Sequence, residues 1–162
     1  MDINEWHDFF VATAGSAAAL TGLIFVGVSI NIEKILSMAK LPARALLSLI
    51  LLLTILVISS LMLIPMQTYF FIGTEVSIIA VAIYILVTKM DISIYKNTSA
   101  DYKKQYLASV IFNQVAVLPY VIAGIAIFVS KENGIYWLVP GILISFIKAV
   151  VDAWVLLVEI NR

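Results

Sequence analysis

Five runs of this chain are each long and apolar enough to cross a bilayer, and little chain lies between them. A helical span needs about 20 apolar residues, and such runs cover residues 9–32, 43–64, 72–89, 105–129 and 135–158. Pro42 stands just before the second run and Pro65 just after it. A proline suits a helix start and blocks its continuation, so the two bound that helix. The expected fold is all-α: one transmembrane domain over residues 1–162, a polytopic bundle of five membrane helices. Hydrophobic residues make up 63% of the chain, against roughly 45–50% in soluble domains. Too little polar sequence remains to clothe a soluble globule. The sequence shows no internal repeat.

The loops predict an orientation. Lys34, Lys40 and Arg44 follow the first run, Lys89, Lys96, Lys103 and Lys104 follow the third, and Arg162 ends the chain. The other side has Lys131. Lys and Arg concentrate in cytoplasmic loops, which predicts the N-terminus outside and the C-terminus in the cytoplasm. Aromatic residues fall at the same two levels: Trp6, Phe9, Phe10, Tyr69, Phe70, Phe71, Tyr136 and Trp137 at the outer one, Tyr95, Tyr102, Tyr106 and Trp154 near the inner one. Asp2, Glu5 and Asp8 open the chain without a Lys or Arg. A cleavable signal peptide needs a positive start, so the first helix is expected to be retained. The polar stretch 90–104 reads as a solvated connector, part of which extends the fourth helix.

Ala12, Gly15, Ala19 and Gly22 recur at steps of three and four in the first run, widened by Ala14, Ala18 and Thr21. A seam of small residues lets helix backbones approach, and in lipid such packing drives association. Two readings stand together here: packing inside the protomer, or a subunit face of a homo-oligomer.

Lys148 and Asp152 sit four apart inside the last run, on one helical face where they can neutralise each other. A charge at mid-membrane costs roughly 2.5–3.5 kcal/mol on insertion scales, so the pair needs a reason. Gly141, Ser145, Lys148, Asp152, Val155 and Glu159 share one spacing pattern. Tyr106, Val110, Asn113, Val117, Tyr120 and Gly124 repeat it on the fourth run. The turn between the runs is short, which makes them antiparallel neighbours. Facing residue numbers then sum to about 265. Gly124 is expected opposite Gly141, Tyr120 opposite Ser145, Val117 opposite Lys148, Asn113 opposite Asp152, and Tyr106 opposite Glu159. Asn113, Gln114, Tyr120, Ser145, Lys148 and Asp152 thus form a candidate buried polar cluster. Pro119 frees a carbonyl near Val115 or Ala116, suited to a cation or a water. The cluster reads as a structural lock, an ion or proton pathway, or a small-ligand site.

Nothing in the sequence points to catalysis. The chain has no cysteine, which excludes thiol nucleophiles, thiolate metal sites and disulfides. It has no Gly-x-Ser-x-Gly, no His-Glu-x-x-His and no phosphate loop. Asp152 is taken as the one Asp within a span, and His7 lies far from any serine seam. Glu5, His7 and Asp8 gather near the outer surface, where a single imidazole among carboxylates is expected to be solvated. Glu75 reads as an interfacial residue. No enzyme, metal, cofactor or nucleic-acid partner is expected.

The stretch AGSAAALTGLIFVGVSIN at residues 14–31, followed by Leu41-Pro42-Ala43-Arg44-Ala45, resembles the opening hairpin of a broad group of small, uncharacterised prokaryotic membrane proteins. The resemblance covers about the first third of the chain and implies a prokaryotic cell (inner) membrane. It carries over no functional residue.

The expected function is a homo-oligomeric channel or channel-like small-ion transport protein. Its polar site would lie between the last two helices, and the first helix would serve as an assembly face. The alternative is a non-conducting accessory or modulator subunit that binds a membrane or soluble partner protein, with Lys148 and Asp152 as a structural lock.

Overall fold

A computed structural model of the protein describes residues 3–38, 41–96 and 103–160. Asp2, Lys40, Tyr102 and Arg162 of the orientation argument lie outside the described residues, as do the side chains of Lys104 and Glu159. A one-turn 3₁₀ segment, Ile3–Trp6, leads into α1 (His7–Ile30). There follow α2 (Ile32–Ser37), α3 (Leu41–Met62), α4 (Tyr69–Lys96), α5 (Lys103–Ser130), α6 (Glu132–Ile135) and α7 (Leu138–Ile160). Five of these helical stretches are long and apolar enough to cross a membrane, the architecture of a multi-pass membrane protein. In lipid the backbone must satisfy its own hydrogen bonds, and a helix does so within each span.

Helix ends follow local chemistry. Pro42 occupies the second position of α3, where its missing N–H costs no hydrogen bond. Asn31 ends α1, its amide donating to the Gly27 carbonyl at 3.0 Å, and α2 starts one residue later. Met66 and Lys131 take left-handed φ of 59° and 47°, where the chain turns after α3 and after α5. At the second turn α6 folds back on α5, and a Cβ at Gly134 would lie 2.3 Å from the Ile127 nitrogen. Only glycine permits that approach.

The largest departure from expectation is at α4. The sequence reading ends the third span at Lys89, yet α4 continues to Lys96. Residues 90–96 of the supposed connector are therefore an extension of the third helix, and α5 as described starts at Lys103, two residues before the expected start of the fourth. The reason is a core stripe that does not stop at Lys89. Ile72, Val76, Ala80, Val87, Asp91 and Ile94 are all buried along one face. Lys89 points outward, and its long stem lets the ammonium reach the surface while the helix continues.

α3 sits at the centre, packed on α1, α4 and α7, and α5 packs on α4 and α7. In α3, 56% of the apolar span is buried, against 17% in α1. α1 is thus an outer flank. The half of the bundle toward Trp6 is filled by Ile55, Ile58, Val76, Ala123, Ile127 and Leu138, each without exposed surface. At that end Trp6 packs edge-on against Tyr136, ring centroids 4.7 Å apart, and Phe70 lies 5.9 Å from Phe128. These aromatics come from separate spans but gather at one end, as amphipathic rings at a membrane interface do.

The small-residue seam is not buried in this bundle. α1 turns Phe10, Thr13 and Ala17 inward, and Thr13 hydrogen-bonds Ser59 of α3 at 2.9 Å. Ala12, Gly15, Ala19 and Gly22 are all exposed. A Cβ added at Gly15 or Gly22 would meet nothing within 4 Å. Packing of that seam inside the protomer is therefore corrected: the larger Phe10 and the hydroxyl of Thr13 bury better against α3 than glycine does.

Candidate functional site

The polar cluster lies in the half of the bundle toward Lys96, and its centre is Asp91. This residue is 2% exposed, on the core stripe of α4. Its Oδ1 accepts from the Asn113 amide at 2.7 Å and from the Tyr106 hydroxyl at 3.3 Å. Its Oδ2 accepts from the Gln114 amide at 3.1 Å. All three donors stand on α5, so one carboxylate ties α4 to α5 along two turns of helix. Such charge-assisted bonds are about twice as strong as neutral ones.

The pairing expected between Asn113 and Asp152 is therefore corrected. Asn113 donates to Asp91 of α4, and Asp152 is held by Lys148 on its own helix. Tyr106, expected opposite Glu159, also turns to Asp91. Asp152 is not the one Asp within a span; Asp91 is another, more deeply buried one. The sequence reading missed it by closing the third helix at Lys89, seven residues too early. The signal was present: Asp91 follows Val87 by four and precedes Ile94 by three, on the stripe through Val76 and Ala80.

On α7, Lys148 and Asp152 form the expected ion pair, with side chains 2% and 11% exposed. The Lys148 ammonium lies 6.0 Å from the centroid of the Phe112 ring of α5, a cation–π contact. The cluster thus holds acidic and basic groups on two helices, Asp91 on α4 and the Lys148–Asp152 pair on α7, with neutral donors of α5 between them. That is the arrangement buried charges need, since an isolated one would be expelled.

The sum of 265 holds nearer the middle of the span. Tyr120 of α5, fully buried, donates to Ser145 Oγ of α7 at 3.1 Å. Ser145 also lies 3.5 Å from the Ala116 carbonyl, one of the two sites where Pro119 was expected to loosen the helix ladder. The Ser145 hydroxyl thus reaches the region of that carbonyl. Gly141 lies under the Tyr120 ring, 3.0 Å from where a Cβ would stand. The expected Gly124–Gly141 contact is corrected: Gly124 packs on Ser77 of α4, whose Oγ would lie 2.5 Å from an added Cβ. α5 is wedged between α4 and α7 with a glycine notch at each contact, its own Gly124 toward α4 and Gly141 of α7 beneath Tyr120.

One polar atom of the cluster is left over. Asn113 Oδ1 is buried without a hydrogen-bond partner among the described residues. At the other end, Gln67 donates to Glu75 at 3.0 Å, so Glu75 ties the α3–α4 turn to α4. Tyr69 donates to Glu132 at 2.8 Å, joining the starts of α4 and α6. A scan against protein-family models finds no match for the chain, and searches of curated proteins and of solved structures find none either.

Proposed function

We propose that this chain is a non-conducting subunit of a membrane assembly, in which the polar cluster is an internal lock and α1 carries the assembly face. One observation carries the reading. The charges of the cluster are taken up by groups of the same protomer, and among the described residues the buried side chains beyond them, toward Trp6, carry no charge: they are apolar apart from a few hydroxyls such as the Thr13–Ser59 pair. An ion crossing one protomer would meet no buried charge in that half. The seam of Ala12, Gly15, Ala19 and Gly22 faces away from the bundle, where close helix contact with another chain, a second copy or a different membrane protein, is available. A prokaryotic cell membrane, with the N-terminus outside, belongs to the same proposal. The Lys and Arg bias of the loops supports the orientation, and the resemblance of residues 14–31 and 41–45 supports the membrane.

The test combines size and flux. Purified protein in nanodiscs or detergent should run as more than one copy, or co-purify with a membrane partner. Gly15→Ile with Gly22→Ile should release the lone protomer without lowering its melting temperature. Proteoliposomes should pass no K⁺, Na⁺, H⁺ or Cl⁻ above empty vesicles. A wild-type protein that runs as a lone protomer in native membranes would remove the assembly half of the reading.

A second reading has its own support. The unpartnered Asn113 Oδ1 beside Asp91 favours a homo-oligomeric channel or small-ion transporter in which these residues contact the ion. Under that reading wild-type flux is selective, and Asp91→Asn abolishes it in protein that remains folded.

A further inference from the structure

Asp91 also borders a groove that the lock does not use. A cavity of about 550 Å³ runs along the outer surface of the α4–α5 pair. Ile92, Leu107, Ile111, Val115 and Leu118 form its walls, all of them exposed to the membrane side. Thr88, Asp91 and Gln114 supply its polar floor. From Tyr84 to Tyr95, which line its two ends, the groove follows about 16 Å of helix at ~1.5 Å per residue. That is half of a hydrocarbon core of ~30 Å, the depth of one leaflet.

The chemistry changes in a fixed order along this length. The Tyr84 and Leu118 end is apolar. Next come the acceptors: Asp91 Oδ2 takes one hydrogen bond among the described residues, from Gln114, and Thr88 Oγ takes the same amide at a long 3.4 Å. A carboxylate oxygen has room for another donor. About 6 Å further along α4, Tyr95 carries Lys103 over its ring at 5.4 Å. Lys96, exposed one residue further on, adds positive charge at that level. The order from deep to shallow is apolar wall, hydrogen-bond acceptor, cation.

We propose that the groove binds an anionic lysophospholipid from the leaflet on the Lys96 side. Such a molecule has one acyl chain, then a free glycerol hydroxyl, then a phosphate, in the order the groove presents. The chain lies along Leu118, Val115 and Ile111. The hydroxyl donates into Thr88 and Asp91 Oδ2, and the phosphate meets Lys103 and its neighbours. A diacyl phospholipid lacks that hydroxyl and would set an ester oxygen, an acceptor, against the Asp91 carboxylate. This inference does not depend on whether the chain conducts or assembles.

The experiment is native mass spectrometry of the full chain in mild detergent, titrated with 1-palmitoyl lysophosphatidylglycerol. The comparison ligands are dipalmitoyl phosphatidylglycerol and 1-palmitoyl lysophosphatidylcholine. The expected result is at least tenfold tighter binding of the anionic lyso lipid than of either. Ile111→Trp, at an exposed position inside the groove, should weaken it tenfold or more, while Ile147→Trp, exposed on α7, should not. Neither change touches the lock, so both variants should fold. Equal binding of the diacyl lipid would mean that the groove is ordinary lipid-facing surface. Unchanged binding by Ile111→Trp would place the lipid elsewhere. Either result overturns the proposal.

Discussion

Asp91 and Lys148 bear the weight of the lock, and they make different demands on their neighbours. Asp91 is an acceptor surrounded by three donors. Asp91→Asn would set an amide NH₂ against one of them and should cost about 1–3 kcal/mol, the penalty of a buried group left unpaired. A lower melting temperature in detergent checks this. Lys148 and Asp152 differ, because each neutralises the other. Removing either alone leaves a buried charge and should cost about 3–5 kcal/mol, whereas Lys148→Leu with Asp152→Leu should regain most of the loss. Thermal unfolding of the two singles and the double decides it; a double as unstable as the sum of the singles would contradict the lock. At this scale the sequence was half legible. Ser145, Lys148 and Asp152 announced themselves as polar residues inside an apolar run. Asp91 did not, because Lys89, Ser93 and Lys96 surround it and make its stretch read as loop. Only the face it occupies, in line with Val87 and Ile94, distinguishes it from its solvated neighbours.

Among the elements, α5 is held from both sides, and its fit depends on small residues. Gly124→Ala would drive a Cβ to within 2.5 Å of Ser77 Oγ and 2.9 Å of the Ser77 backbone. The helices must part, so the melting temperature should fall by the several degrees that roughly 1–3 kcal/mol of overpacking represents. Gly15→Ala on α1 meets open space and should leave the protomer's melting temperature unchanged. Measured side by side, the two separate glycines that pack inside the protomer from one that does not. Helix register was legible where two helices share a short turn: Tyr120 and Ser145 meet as counted. The count failed for Asn113 because a third helix competes. Asp91 of α4 offers a carboxylate to the face of α5 that the two-helix reasoning assigned to α7. Pairwise antiparallel logic sees neighbours in sequence, and α4 meets α5 across a connection the sequence reading took for solvated loop. Helix 1 was ambiguous for a related reason, since a seam of small residues suits a contact but does not name the partner.

For the whole molecule, five spans were legible because hydropathy over some 20 residues reflects the bilayer itself, which tertiary packing does not alter. The fold places its buried charges, Asp91 and Lys148, toward the Lys96 end. The absence of cysteine makes orientation directly measurable. A single cysteine placed at Lys131 should react with an impermeant maleimide from outside intact cells, and one at Lys96 only after permeabilisation. The account's central claim is that the cluster around Asp91 and Lys148 locks the bundle and carries no ion through it. Flux from proteoliposomes under K⁺, Na⁺, H⁺ and Cl⁻ gradients, wild type against Asp91→Asn, tests that claim most directly. The account predicts that both match empty vesicles for every ion. Selective wild-type flux that Asp91→Asn abolishes, in protein shown to be folded, would contradict it.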